Sequence, residues 1–159
     1  MIADKNQIIY SLEKSVNELE QVIQNSIKSN NKNCKDIYTS LGTTLLWIGS
    51  CLDRLKSVGT KYSEDELKYE QAFRGAYNAQ KHSIALVSFQ NYKKGGTSFP
   101  IHFSLAIPAP NYYFNRLDEN VIKFTEQIKT YNELLSNKPV ILEIKKMQQI
   151  IITKFNNNI

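Results

Sequence analysis

The chain has 159 residues, of which 42% are hydrophobic and 22% charged, as is typical of one folded domain rather than a disordered or fibrous protein. The formal charge of +5 comes mainly from lysine, and the basic tracts are short, so it permits nucleic-acid binding without indicating it. No apolar run reaches the roughly 20 residues that span a membrane, and the polar N-terminal residues lack the layout of a signal peptide. We therefore expect a single cytoplasmic domain over residues 1–159, without membrane contact.

The two cysteines, Cys34 and Cys51, fall in or near one predicted helix, with no histidine cluster beside them. This arrangement supports neither a disulfide framework nor a zinc site. We expect both to be ordinary residues.

Apolar residues at helical spacing predict a first helix from about Asp4 to Ser29 and a second from about Asp36 to Val58. The stripe of the first comprises Ile9, Leu12, Val16, Leu19 and Ile23, and that of the second Leu41, Leu45, Ile48, Leu52 and Leu55. Gly59 is placed to end the second helix, since glycine adopts the left-handed conformation without a Cβ clash. Ser63 and Glu66 then form a capping-box pattern, which predicts a third helix reaching about His82.

Beyond His82 the hydrophobic period changes from that of a helix to that of a strand. We predict one strand from Ile84 to Phe89, a turn over 93–96, and an alternating second strand from Phe99 to Ile107, ended by the prolines that follow. His102 alternates with apolar neighbours on this strand, so we expect it on the surface. The hairpin is thus an insertion at about 84–107.

Two more helices are predicted after the hairpin. The fourth runs from about Leu117 to Leu135, and Pro139 fits the first turn of the fifth, where its missing amide costs little. Their apolar faces comprise Val121, Phe124, Ile128 and Tyr131, and Val140, Ile144, Met147 and Ile151. The predicted fold is mainly α, an up-and-down bundle of four to five helices with one inserted β-hairpin.

The third helix carries a polar row, in which Glu70, Arg74, Asn78 and His82 recur every four residues and stack along one side. Histidine titrates near neutrality and arginine matches phosphate geometry, so the row can bind a phosphate and move a proton. The alternative is that Glu70 and Arg74 form an ion pair on a solvated helix face. Asp53 on the second helix is a candidate support for Arg74 or His82.

The segment 74–82, which reads RGAYNAQKH, resembles the motif region of HEPN-domain proteins. These are α-helical bundles found in toxin–antitoxin, abortive-infection and CRISPR systems. In the family an arginine, commonly followed by a polar residue, precedes a histidine by a short gap. Arg74 matches the arginine, Asn78 loosely the polar position, and His82 the histidine. Gly75 departs from the pattern, and the gap of seven residues is longer than usual.

The resemblance implies that Arg74, Asn78 and His82 are catalytic in a homodimer that needs no metal or cofactor. His82 would act as general acid or base while the 2′-hydroxyl of RNA attacks, and Arg74 would stabilise the phosphate. One reading is therefore a metal-independent endoribonuclease or RNA-binding protein of a defence or toxin–antitoxin system. The other is a non-catalytic dimeric module that binds a partner protein. A cleft open around the row favours the first, and a row sealed by packing or spread over solvent favours the second.

Overall fold

The computed structural model describes residues 4–30, 34–82, 85–90, 111–120 and 125–158. In these ranges the elements follow the order α1 (Lys5–Lys28), α2 (Cys34–Ser57), α3 (Glu64–Lys81), β1 (Val87–Gln90), β2 (Asn111–Phe114), α4 (Thr125–Leu134) and α5 (Val140–Asn158). The predicted class, a mainly helical bundle with one β-hairpin, is confirmed. None of the helices so described is long and apolar enough to cross a membrane.

Local sequence signals set the ends of the first three helices. Asp4 caps α1 by accepting the Gln7 amide at 2.8 Å, and the Gln7 side chain accepts the Asp4 amide in return. Ser63 and Glu66 make the same reciprocal pair at the start of α3, as the capping box predicts. Gly59, after α2, has a φ of 71°, the left-handed conformation expected of it.

The helical stripes form the core. All five residues of the predicted α2 stripe are buried, as are the four predicted on α5. In α1 the buried position is Ile8 rather than Ile9, which is only partly buried. Ile8 lies four residues before Leu12 and so shares its face, whereas Ile9 is turned away by about 100°.

α2 lies between α1 and α3 and runs antiparallel to both. The Thr44 hydroxyl on α2 donates to the Ser15 carbonyl of α1 at 3.1 Å. On its other side, the amide of Gln80 near the end of α3 donates to the Tyr38 carbonyl near the start of α2 at 3.4 Å. α4 packs on α3, while α5 packs on α1 and α2 and closes the bundle.

The end of α5 is joined to the connection between α2 and α3. The ammonium of Lys154 donates to the Lys61 carbonyl at 3.1 Å and pairs with the Glu66 carboxylate at 2.7 Å. The hydrogen bond from Lys154 also holds the pKa of Glu66 below its usual value. The last helix therefore secures the entry to α3 as well as the core.

The hairpin differs from its prediction in both strands. β1 begins at Val87 rather than Ile84, and its described partner is Asn111–Phe114, which pairs antiparallel with it from Val87↔Phe114 to Gln90↔Asn111. That partner segment was not predicted as a strand. Its alternate residues Tyr112 and Phe114 are buried, while the predicted turn at 93–96, the predicted strand at 99–107 and His102 lie outside the described residues.

The described part of the fourth helix is Thr125–Leu134, and residues 117–120, where the helix was predicted to begin, are not helical. The side chain of Asn132 accepts the Leu117 amide at 2.9 Å and donates to the Leu117 carbonyl at 2.8 Å. The Asn132 side chain thus satisfies both backbone groups of Leu117, which leaves neither free to form the hydrogen bonds of a helix. Ile128 and Tyr131 are buried as predicted, whereas the predicted positions 121 and 124 are outside the described residues.

Candidate functional site

The polar row on α3 passes from the interior to solvent. Glu70 is buried, Arg74 and Asn78 are partly buried, and His82 is exposed. Four residues advance an α-helix by slightly more than one turn, so each member is rotated about 40° from the one before it. The four side chains therefore have different surroundings despite their regular spacing.

Arg74 lies at the centre of an ion-pair cluster between α2 and α3. Its Nε bonds to the Glu70 carboxylate one turn before it, and its Nη1 bonds to the Asp53 carboxylate on α2 at 2.8 Å. The predicted support of Arg74 by Asp53 is thus present in the structure. The ion pair between Glu70 and Arg74 that the alternative predicted is also present, but it is not solvated, since the two side chains are only 11% and 23% exposed.

Two carboxylates offset the single positive charge of Arg74. Burial favours the neutral guanidine, but the hydrogen bonds that Arg74 donates to Glu70 and Asp53 outweigh that effect and raise the pKa of Arg74, so the group stays charged. The remaining Nη2 is buried without a hydrogen-bond partner. The nearby hydroxyl of Tyr62 is likewise buried and unpartnered, and burial raises its pKa to about 12. Arg74 as it stands joins two helices rather than presenting a free guanidinium to solvent.

Asn78 and Gly75 mark the close contact of α3 with α4. The Asn78 amide donates to the Gln127 side chain on α4 at 2.8 Å. A Cβ placed on Gly75 would lie 2.7 Å from the Gln127 carbonyl oxygen and 3.3 Å from the Cβ of Tyr131. Any residue larger than glycine at position 75 would meet the backbone of α4.

His82 is the C-cap of α3, and its backbone amide bonds to the carbonyls of Asn78 and Ala79. Its imidazole is exposed to solvent. It lies eight positions after Arg74, a distance of about 12 Å along the helix axis. The structure therefore does not bring Arg74 and His82 of one chain together at a single phosphate.

The residues that sequence reasoning passed over lie beside the row. The Tyr77 ring packs on the backbone of α2, where a Cβ on Gly49 would be 3.8 Å from it, and the Lys81 ammonium lies 5.3 Å from the ring centroid. The separation of Tyr77 and Lys81 by four residues, one helical turn, could have predicted that Lys81 contacts Tyr77. Their position relative to Gly49 depends on tertiary packing.

Other potential chemistry within the described ranges is limited. Cys51 is buried as a free thiol, and burial raises its pKa to about 12. No group of three histidine, cysteine, aspartate or glutamate side chains in the described part of the chain is placed to hold a metal ion.

No family model matches the chain, and no curated protein or solved structure shows significant similarity to it.

Proposed function

We propose that the protein is a HEPN-like domain that binds RNA and cleaves it without a metal ion, with His82 as the proton-transfer residue. The observation that carries the proposal is the exposure of His82 at the end of α3, directly after the exposed Lys81. An accessible imidazole next to an ammonium group is suited to moving a proton beside a bound phosphate.

In this proposal Arg74 is a positioning residue. Its bond to Glu70 within α3 orients the guanidinium, and its bond to Asp53 fixes α3 against α2 and so fixes the direction in which the end of α3 projects. One His82 per chain supplies one proton-transfer group, whereas cleavage by the 2′-hydroxyl benefits from both an acid and a base. We therefore propose a homodimer in which two copies of His82 act on one RNA strand.

The proposal is tested by incubating the protein with a labelled single-stranded RNA in the presence of EDTA. Wild type should cleave it and leave 2′,3′-cyclic phosphate ends, which identify attack by the 2′-hydroxyl. His82→Ala should lower the rate by about 10²- to 10⁴-fold. His102→Ala is the matched control, because it removes the other histidine of the chain. Equal rates for wild type and His82→Ala, or no cleavage above protein-free RNA, would contradict the proposal.

A second candidate function is a non-catalytic dimeric module, and a specific observation favours it. Arg74 and Asn78 are both occupied by bonds to α2 and α4, as expected of a row that is sealed by packing. This candidate predicts a dimer by sedimentation together with complete absence of RNA cleavage and RNA binding. A monomer at high concentration would contradict both the module and the paired histidines.

A further inference from the structure

Two exposed lysines of α2 and α3 lie at one end of the bundle. Lys35 lies in the first turn of α2, and Lys81 lies in the last turn of α3. The bond from Gln80 to the Tyr38 carbonyl shows that these two turns are neighbours. Both lysines are exposed, and His82 follows Lys81 at the same end.

An aromatic ring lies beside these cations. Tyr77 is one turn below Lys81 on α3 and is partly exposed. Its ring packs directly on the backbone of α2 at Gly49, which has no side chain to hold the ring away. Leu46, one turn nearer the lysine end of α2, is 50% exposed and extends the apolar surface. Because the ring is already held in place, it loses little further conformational entropy when a second planar group stacks on it.

We propose that Tyr77, Lys81 and Lys35 form the contact surface for a single strand of RNA, with a base against Tyr77 and phosphates at the two lysines. This inference deepens the proposed RNA-binding function and rests on it. Single-strand sites combine a stacking aromatic with cations that follow the backbone. Here Tyr77 and Lys81 lie one turn apart on α3, and Lys35 lies about 20 Å along α2 from Gly49, on which Tyr77 packs. The acidic residue of α2 nearest to Lys35 is the exposed Asp36, which directly follows it. The strand would then pass His82 as it leaves Lys81.

The Lys81 ammonium lies over the Tyr77 ring, 5.3 Å from its centroid. An exposed cation–π contact of this kind is worth only about 0.5–1 kcal/mol. A base can therefore displace the flexible lysine, whose ammonium then reaches the adjacent phosphate. The same two residues thus serve both the free and the bound state.

The test measures the binding of a fluorescein-labelled single-stranded RNA by anisotropy, over a series of salt concentrations, with His82→Ala as the background so that no RNA is cut. Lys35→Gln/Lys81→Gln should reduce the slope of log K against log salt by about 1.4, from two phosphate contacts at about 0.7 each. Tyr77→Leu, which keeps an apolar side chain on Gly49, should weaken binding by about 10-fold. The matched control is Lys56→Gln/Lys61→Gln at the opposite end of the helix pair.

Each outcome decides the inference. Loss of slope in the Lys35/Lys81 variant alone, with weaker binding for Tyr77→Leu, supports it. If the RNA binds and the control variant loses as much slope, the surface is wrong while RNA binding stands. Tighter binding of duplex than of single-stranded RNA overturns the base contact. If the parent protein binds no RNA, the proposed function fails and this surface fails with it.

Discussion

Replacing Gly75 with alanine should destabilise the protein, although alanine normally stabilises a helix relative to glycine by about 1 kcal/mol. The new Cβ would lie 2.7 Å from the carbonyl oxygen and 3.1 Å from the carbonyl carbon of Gln127. Both are backbone atoms, so α4 must move as a unit. Overpacking typically costs about 1–3 kcal/mol, and a backbone contact belongs at the upper end. The net loss should be about 2 kcal/mol.

The matched control is Gly49→Ala, at the contact of α2 with α3. There the new Cβ would lie 3.8 Å from the Tyr77 ring, an ordinary van der Waals distance. This variant should gain up to about 1 kcal/mol from helix propensity alone. The two substitutions are chemically identical and should change stability in opposite directions.

Urea denaturation followed by circular dichroism measures both variants. The midpoint should fall for Gly75→Ala and stay or rise for Gly49→Ala, with an unchanged slope. A loss of about 2 kcal/mol corresponds to a fall in Tm of about 4–8 °C in a chain of this size. A Gly75→Ala protein as stable as wild type would refute the reasoning, because it would mean that α3 and α4 are not in backbone contact.

Three other predictions concern buried polar groups. The protein should unfold as the pH rises above about 10, because burial raises the folded-state pKa of Tyr62, Tyr69 and Tyr131 above the unfolded value near 10. The absorbance at 295 nm and the circular dichroism should change together. In a Cys34→Ser background, Cys51 should not react with a thiol reagent at pH 8 until denaturant is added, and rapid labelling of the folded protein would show that the site is open. Arg74→Met should lower the free energy of unfolding, measured in urea, by about 2 kcal/mol, because it leaves the buried Glu70 carboxylate without its partner. Adding Glu70→Gln should restore most of this stability. Additive losses in the double variant would show that the two residues are not coupled.

Local sequence signals predicted most of the helical framework. The capping box at Ser63 and the glycine at 59 act through their nearest neighbours, so they can be identified without knowing the rest of the fold. The same holds for the apolar stripes. The start of α4 could not be found this way, because Leu117 is held by Asn132, fifteen residues further along the chain.

The positions of the candidate site residues on α3 could be predicted from the sequence, but their bonding partners could not. Spacing placed Glu70, Arg74, Asn78 and His82 on one side of α3, but it could not show that Arg74 is already bonded on both sides. Burial of Glu70 depends on the packing of α2 against α3, which no spacing rule encodes. The strand Asn111–Phe114 was missed for a similar reason, because four residues after two prolines give a weak local signal.

The attachment of α5 has a consequence for synthesis in the cell. Lys154 secures the connection between α2 and α3, and α5 covers the faces of α1 and α2 that would otherwise be open to water. A nascent chain of which only the first three helices have left the ribosome therefore exposes apolar surface and lacks the contacts of Lys154. The bundle can close only after α5 has left the ribosome, and until then the exposed apolar faces of α1 and α2 favour aggregation.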